Sequence, residues 1–411
     1  MKNACIIACY IFFTHNNLIP KHQFGFLPKK STLDALQNFI EYQYNSLNLN
    51  QYSINVFIDL SKAFDTINHK ILLGKLEKYG IRGHALNFIK NYISNRKYRV
   101  KIGDSFSSFC VSNIGTAQGS ILAPLFFLIY VNDLPNFLDK SHPILFADDT
   151  TLCFKNESLQ SAIDICNGEL IKFSEWCKAN RLTINLDKTC FMVITNRYVP
   201  DLHFDIKIDS TFLKCIDFHK FLGVTIDNKL KFNLHISNIA TKVSKSIGIL
   251  YKISNYLPSV TLLKIYNSLV HSHFMYSNAI WGGTYGTHIH PLIILQKKCL
   301  RIINKTNYLE HTQPLFASNR VLKIADIHKY CQACYIHKNL EIISTSSHSY
   351  STRQNLINPI FQRLTLSQRS IYYSGVVYWN SLPSHIKNIL EVENFKKYLK
   401  LLIIESYFQN I

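Results

Sequence analysis

Glycine and proline are scarce in this sequence, 14 and 11 of 411 residues, which excludes a collagen-like, linker-like or low-complexity chain. Long apolar runs are missing too. The two longest, residues 4–13 and 121–131, fall well short of the ~20 residues a membrane-spanning helix needs, so no membrane span is expected. Residues 4–13 follow one lysine and precede no small-residue cleavage pattern, so they read as a buried helix or strand, or a spurious start, rather than a secretory signal. Acidic residues are few: 26 Asp and Glu face 45 Lys and Arg, a net charge of +19. Residues 1–200 hold 21 basic against 15 acidic side chains, and residues 201–411 hold 24 against 11, so the surplus sits mainly in the second half. Such a surplus suggests a polyanionic partner, nucleic acid or an acidic membrane surface, and says nothing about fold.

What the chain does have is apolar content, 47% of its residues, and length enough for two or three domains. Its eleven cysteines are scattered and odd in number, which fits buried thiols in a reducing compartment better than a disulfide framework. Cys331 and Cys334 with His337 form the one zinc-like spacing, but no second ligand pair follows, and ordinary helix packing is the better reading.

Periodicity predicts a helix over 31–49, capped by Ser31 or Thr32, then a short strand in VFIDL. Asn68 is expected to cap a second helix that Gly80 stops. A mostly apolar helix should follow Gln118-Gly119-Ser120, with Ser120 as cap and Pro124 in the first turn, where backbone N–H groups have no intrahelical partner. Residues 143–154 read as two strands joined at Asp148-Asp149, TCFMVI and FLGVTI as further strands, and the chain from about 235 as mainly helical.

Three carboxylates stand out. Asp59 ends the apolar strand Val56-Phe57-Ile58, and Asp148 and Asp149 follow the apolar stretch Ile144 to Ala147. Strand ends side by side would bring them within a few ångströms, where like charges repel unless divalent cations lie between them. Oxygen-only ligands select magnesium or manganese. The bland alternative is a solvated Asp-Asp turn.

The words FIDLSKAFDTINH, AQGSILAPLFFLIYVNDLP, ILFADDTTL, NRLTINLDKTCFMVI and HKFLGVTID occur in that order, and together the chain closely resembles the reverse transcriptase of non-LTR retrotransposons, particularly the jockey-like group. The resemblance runs from QFGF at 23–26 to about residue 305, with YWNSLP at 378–383 extending it. It implies an α+β right-hand polymerase: partial fingers in 1–50, an antiparallel palm with helices in 51–234, a helical thumb in 235–305 and a basic helical C-terminal region in 306–411. It implies RNA-directed DNA synthesis by two-metal phosphoryl transfer, with RNA template, DNA primer and deoxynucleoside triphosphates as partners. By the same resemblance Asp59, Asp148 and Asp149 hold two Mg2+ ions, with Mn2+ a substitute. Phe64 closes over the sugar of the incoming nucleotide, and Gln118 and Gly119 lie against nucleotide and template. Lys188 sits near the triphosphate, Lys29, Lys30 and Arg82 can meet phosphates, and Phe221, Leu222 and Gly223 form the hairpin that grips the primer end.

The departures are specific. Leu27 stands where family members usually carry Arg, Ala117 where they carry Pro, and Ala123 where they carry Gly. Only 22 residues precede QFGF, where the family has further fingers segments and an endonuclease, a pattern expected of a truncated copy or an incomplete gene model. A rival reading is therefore a catalytically impaired, nucleic-acid-binding remnant of such an element. A group II intron maturase type of polymerase is disfavoured by YWNSLP and FADDT.

Overall fold

Strand β1 (Tyr52–Ile58) is the centre of the first part of the computed structural model, which describes residues 11–13, 15–16, 18–117, 119–199, 204–345 and 356–408. Six of its seven residues are buried, so both faces of the strand are covered and the run reads as almost continuously apolar. Helix α1 (Thr32–Asn48) precedes it, with Ser31 donating a hydroxyl hydrogen bond to Asp34 at 2.7 Å. Contacts divide the chain into two units, residues 1–39 with 50–217, and residues 40–49 with 218–411.

In the first unit, β1 is followed by helices α2 (His69–Lys78), α3 (Gly83–Ile93) and α4 (Ala123–Val131). Next come strands β2 (His142–Phe146) and β3 (Asp149–Asn156), helix α5 (Leu159–Ala179), and strands β4 (Cys190–Ile194) and β5 (Lys214–Cys215). The strands form one sheet in the order β5-β4-β1-β3-β2, antiparallel except for the β4–β5 pair. Ile54, Val56 and Ile58 point to one face, where they join Leu152, Phe154 and Phe191 in a core that Cys166, Leu170 and Phe173 of α5 complete. On the opposite face Phe57 meets Phe39, ring centroids 6.0 Å apart. Helix α4 is apolar all round, and every one of its residues except Pro124 is buried, as a core helix must be.

Caps fall close to expectation. Asn68 accepts hydrogen bonds from the Lys70 and Ile71 amides, and Gly80 follows α2 at φ 97, a conformation open to glycine without strain. Pro124 lies in the first turn of α4, as expected, but the cap is Leu122 rather than Ser120. The Ser120 hydroxyl is two residues too early, accepting from the Leu122 amide at 3.3 Å and bonding the Tyr92 hydroxyl at 2.6 Å.

The second unit opens with a hairpin, β6 (Phe218–Phe221) and β7 (Val224–Asp227), turned by Leu222 and Gly223, both at positive φ. Two positive values match the twist of a two-residue hairpin loop, and glycine supplies the second at no cost. Asp227 accepts from the backbone amides of Lys229, Lys231 and Phe232, leading into α6 (Asn233–Ile253). That helix packs on α7 (Gly286–Asn304), and Ile236, Val243 and Leu250 of the one and Leu292, Cys299 and Ile303 of the other are buried. Helices dominate from there, including α8 (Ile324–Lys338) and α9 (Val392–Phe408). On α8, His337 stacks on Phe395 at 4.0 Å and its Nε2 bonds the Ile389 carbonyl at 2.5 Å, while burial pushes the Cys331 and Cys334 thiols up. These are packing interactions. Among the described residues no helix is long and apolar enough to cross a membrane, and residues 4–10 of the N-terminal apolar stretch lie outside them.

Removing the α2 cap tests this assignment. Asn68→Ala should cost about 1 kcal/mol and lower the thermal midpoint by about 2–4 °C, measured by circular dichroism. An unchanged midpoint would mean that the Asn68 side chain does not hold the helix start.

Candidate metal and nucleotide site

Asp59 follows directly on β1, and its backbone is held by the segment before β4. The Asp59 amide donates to the Thr189 hydroxyl at 3.3 Å, and its carbonyl accepts from the Asn185 amide at 2.8 Å. Leu60 bridges Ile184, and the Ser61 amide donates to the Thr183 carbonyl at 2.8 Å. The same turn brings Lys188 to Asp59, with Nζ 3.7 Å from the carboxylate. Side-chain exposures of 70% and 41% make this a loose, well-solvated pair. Lys188 thus lies beside the Asp59 carboxylate.

Across the sheet, Ile58 pairs with Thr150, so extending the antiparallel register by one residue sets Asp59 opposite Asp149. The hairpin that carries the pair is shifted from expectation by one position. Phe146 pairs with Asp149, so the two-residue loop is Ala147-Asp148 and Asp149 already belongs to β3. The reason is conformational: Ala147, not an aspartate, takes the positive φ, 57°, that starts the turn. Burial first, then the charges of Asp148 and Asp59, raise the Asp149 carboxyl above its ordinary value. The three acids therefore interact, and their mutual repulsion together with an all-oxygen donor set suits a hard divalent cation. Among the described residues no three such side chains close around an ion as they stand.

Residues 22–25 were expected only as part of the fingers, yet they attach to this hairpin. Gln23 bridges Leu145 in parallel fashion, the Phe24 amide donates to the Leu145 carbonyl at 2.8 Å, and the Leu145 amide donates to the His22 carbonyl at 2.9 Å. The Gln23 side-chain oxygen accepts from the Gly25 amide at 2.8 Å and the Ala147 amide at 3.4 Å. Gly25 lies so close that a Cβ there would stand 2.3 Å from the Ala147 nitrogen. Lys29 and Lys30 follow, both exposed, Lys29 at φ 63 and Lys30 with its Nζ 5.0 Å above the Phe24 ring.

Phe64 is half-buried, its ring 4.7 Å from that of Phe127 and edge-on to Phe26 at 6.2 Å. The Thr116 amide donates to the Phe64 carbonyl at 3.0 Å and the Gly115 amide to the Ile67 carbonyl at 2.8 Å, which ties the loop ahead of α4 to the segment carrying Phe64. Gly115 is required there: it has φ 71, and a Cβ would meet the Asp65 carbonyl oxygen at 2.5 Å. His69 and Arg96 both bond the Gly115 carbonyl, each at 2.7 Å. Gly119 is exposed at φ 75 with open space around it. Gln118 lies outside the described residues. Phe221, Leu222 and Gly223 form the turn of the β6–β7 hairpin, where the Tyr276 hydroxyl donates to the Leu222 carbonyl at 2.7 Å.

The sequence reading did not single out the side chains of Gln23, His69, Arg96 or Thr189. Each acts by reaching a backbone group distant in sequence, for which no local pattern exists. Gly25 and Gly115 carried a signal, since an isolated glycine beside a structured word marks a close backbone approach.

Residues 5–226, just over half the chain, match the family described as reverse transcriptase (RNA-dependent DNA polymerase). The RNA-directed DNA polymerase from mobile element jockey of Drosophila melanogaster is 26% identical over 339 residues, 78% of this chain and 36% of that protein. Its counterpart in Drosophila funebris is 28% identical over 321 residues, 75% of this chain and 34% of that protein. The probable RNA-directed DNA polymerase from transposon X-element of Drosophila melanogaster is 26% identical over 320 residues, with 75% and 34% covered. The chain thus spans about a third of the length of the curated relatives it matches. Among solved structures, apo telomerase from Candida Tropicalis aligns with a TM-score of 0.43 at 12% identity, over 84% of this chain and 59% of that one. The likeness to jockey-like polymerases expected from the sequence is borne out by these relatives, and the mixed α/β content fits a polymerase fold.

The raised Asp149 carboxyl makes a stability prediction. A carboxyl whose folded value lies above its unfolded one penalises the folded chain once it ionises. That penalty is absent below the unfolded value of 3.8 and complete above the raised folded value. Asp149→Asn should therefore raise the metal-free thermal midpoint at pH 7 by about 1–3 °C, a gain that shrinks as pH falls towards 4. A lower midpoint at pH 7 would mean that repulsion does not dominate at this turn.

Proposed function

The chain belongs to the reverse transcriptase (RNA-dependent DNA polymerase) family, and on that premise we propose that it copies an RNA template into DNA as the polymerase of a jockey-like non-LTR retrotransposon. The observation that carries the reading is the register that sets Asp59 opposite Asp149, with Asp148 in the adjoining turn. Divalent cations, which reverse transcriptases use, fit these carboxylates, and we assign two Mg2+ ions, replaceable by Mn2+, to them. When bound they lower the pKa of the primer 3′-hydroxyl and take up charge on the triphosphate.

The remaining roles belong to this chain's own side chains. Asp59, Asp148 and Asp149 supply the oxygen donors from two adjacent strand ends. Lys188, held loosely beside Asp59, orients or protonates the leaving pyrophosphate. Phe64, steadied on Phe127, crowds the 2′ position of the incoming sugar and so favours deoxynucleotides. Gly119, Gln118, Lys29 and Lys30 border the nucleotide, and the turn of Phe221, Leu222 and Gly223 carries the primer grip. In this reading residues 1–50 supply partial fingers and 51–234 the palm, and the helices of 235–305 and 306–411 supply thumb and C-terminal region. The basic surplus of residues 201–411 supports their tracking the template–primer backbone.

Leu27 favours a second reading, a remnant that binds nucleic acid without efficient synthesis. Leucine offers no forked, permanently charged donors to a triphosphate, and one charge-assisted contact is worth about 1.5–3 kcal/mol, or roughly 10- to 150-fold in nucleotide affinity.

Primer extension on an RNA template separates the readings. The parental chain should extend with Mg2+, Asp148→Asn should abolish extension while the melting curve is kept, and Leu27→Arg should lower the nucleotide KM by about tenfold or more. Extension retained in Asp148→Asn would sink the metal assignment. Absent synthesis with salt-sensitive duplex binding would establish the remnant. Phe64→Val should raise ribonucleotide incorporation with deoxynucleotide use nearly intact, and an unchanged ratio would reduce Phe64 to a core residue.

A further inference from the structure

The turn that carries Asp148 and leads into Asp149 begins with Ala147 at φ 57, a conformation that strains an alanine and that glycine would take freely. Ala147 is nonetheless 7% exposed and enclosed, so something must hold it. Two attachments come from residues 22–25. The ladder between Phe24 and Leu145 fixes the edge of β2 two residues ahead of the turn. Beyond it, the Gln23 carboxamide, 3% exposed, places one oxygen against the amides of both Gly25 and Ala147. Gly25 then seats its bare Cα against the Ala147 nitrogen, where no side chain fits.

We propose that Gln23 is a positioning residue for the catalytic turn: its side-chain oxygen, with Gly25 packed beside it, holds Ala147 in its left-handed conformation and so fixes where Asp148 and Asp149 present their carboxylates. The role rests on the polymerase reading only in that it names what the carboxylates bind. Gln23 touches neither cation nor nucleotide. It acts through a backbone amide, which predicts a defect in metal affinity and rate with little change in nucleotide KM or duplex binding. A buried glutamine that merely filled space would show neither that pattern nor a repair at position 147.

The test compares the full chain with Gln23→Met, Gln23→Met combined with Ala147→Gly, and Gly25→Ala. Two measurements need no turnover: hydrogen exchange of the Ala147 amide, and Mn2+ affinity by electron paramagnetic resonance. Gln23→Met keeps size and removes the acceptor, so exchange should quicken by about fivefold or more and Mn2+ binding weaken by about threefold or more, in line with losing one buried hydrogen bond. Ala147→Gly in the same chain should recover Mn2+ affinity, because glycine takes the conformation without strain, while the amide, still without its acceptor, stays fast to exchange. Should Gln23→Met fail to fold, Gly25→Ala asks the same question from the other side, since its Cβ must displace the turn. Unchanged exchange and affinity in Gln23→Met, or an affinity loss that Ala147→Gly does not repair, would overturn the proposal. If exchange quickens and Mn2+ affinity falls and recovers as expected while no chain extends a primer, the brace stands and the polymerase reading falls.

Discussion

The antiparallel register between β1 and β3 is the constraint on which the site depends. With Ile58 against Thr150, the next pair is Asp59 and Asp149, and a slip of one residue would send one of them to the opposite face. What prevents the slip is hydrophobic. Ile54, Val56 and Ile58 share the core with Leu152 and Phe154, so shifting β3 would put the smaller Thr151 and Cys153 in their places and force the two large side chains into the opposite, equally buried face. Large-to-small changes in a core cost about 2–5 kcal/mol each, which outweighs the modest electrostatic cost of setting acids side by side at a partly solvated strand end.

That imbalance explains why unfavourable features collect at one end of the sheet. Asp149 is held with its carboxyl raised, Ala147 is held at positive φ, and Gly25 is pressed against its backbone. None would persist on an isolated hairpin. Contacts from elsewhere hold the neighbouring backbone in place: Asn185 and Thr189 on Asp59, residues 22–25 on Ala147, Arg96 and His69 on Gly115. The loop bearing Gly119 is anchored upstream through Gly115 and Thr116 and downstream through the bond between the Ser120 and Tyr92 hydroxyls, and Gly119 itself is exposed.

Much of this was legible before any coordinates, for identifiable reasons. The strand VFIDL and the cap at Asn68 are local, written in residue types within a few positions of one another, whereas FLGVTI, expected as one strand, is split by the turn at Leu222-Gly223, a hairpin that only the family resemblance implied. The Asp148 turn was legible to one residue only, because a DD pair suggests a turn centred on itself while the backbone placed the left-handed residue at Ala147. The cap of α4 was missed because Ser120 is a good cap by type but bonds Tyr92 instead. Gln23 was read as part of a family word, and no periodicity could connect it with Ala147, 124 positions away. Local chemistry found the elements, and only folding could show which of them brace one another.

Phe64 shows why a core reading and a functional reading of one residue need not compete. Its ring lies 4.7 Å from Phe127, on a helix that is apolar all round, while the residue stays half-exposed and its edge meets Phe26. An aromatic that discriminates by steric exclusion must not yield when pressed, since a ring free to rotate aside would admit the larger sugar. Packing against Phe127 removes that freedom, and the Thr116 bond to its carbonyl removes the backbone's. In the role proposed for Phe64, burial of one face is the condition for selectivity at the other, and the same logic applies to the acids, which can be positioned at a strand end because the strands behind them are core.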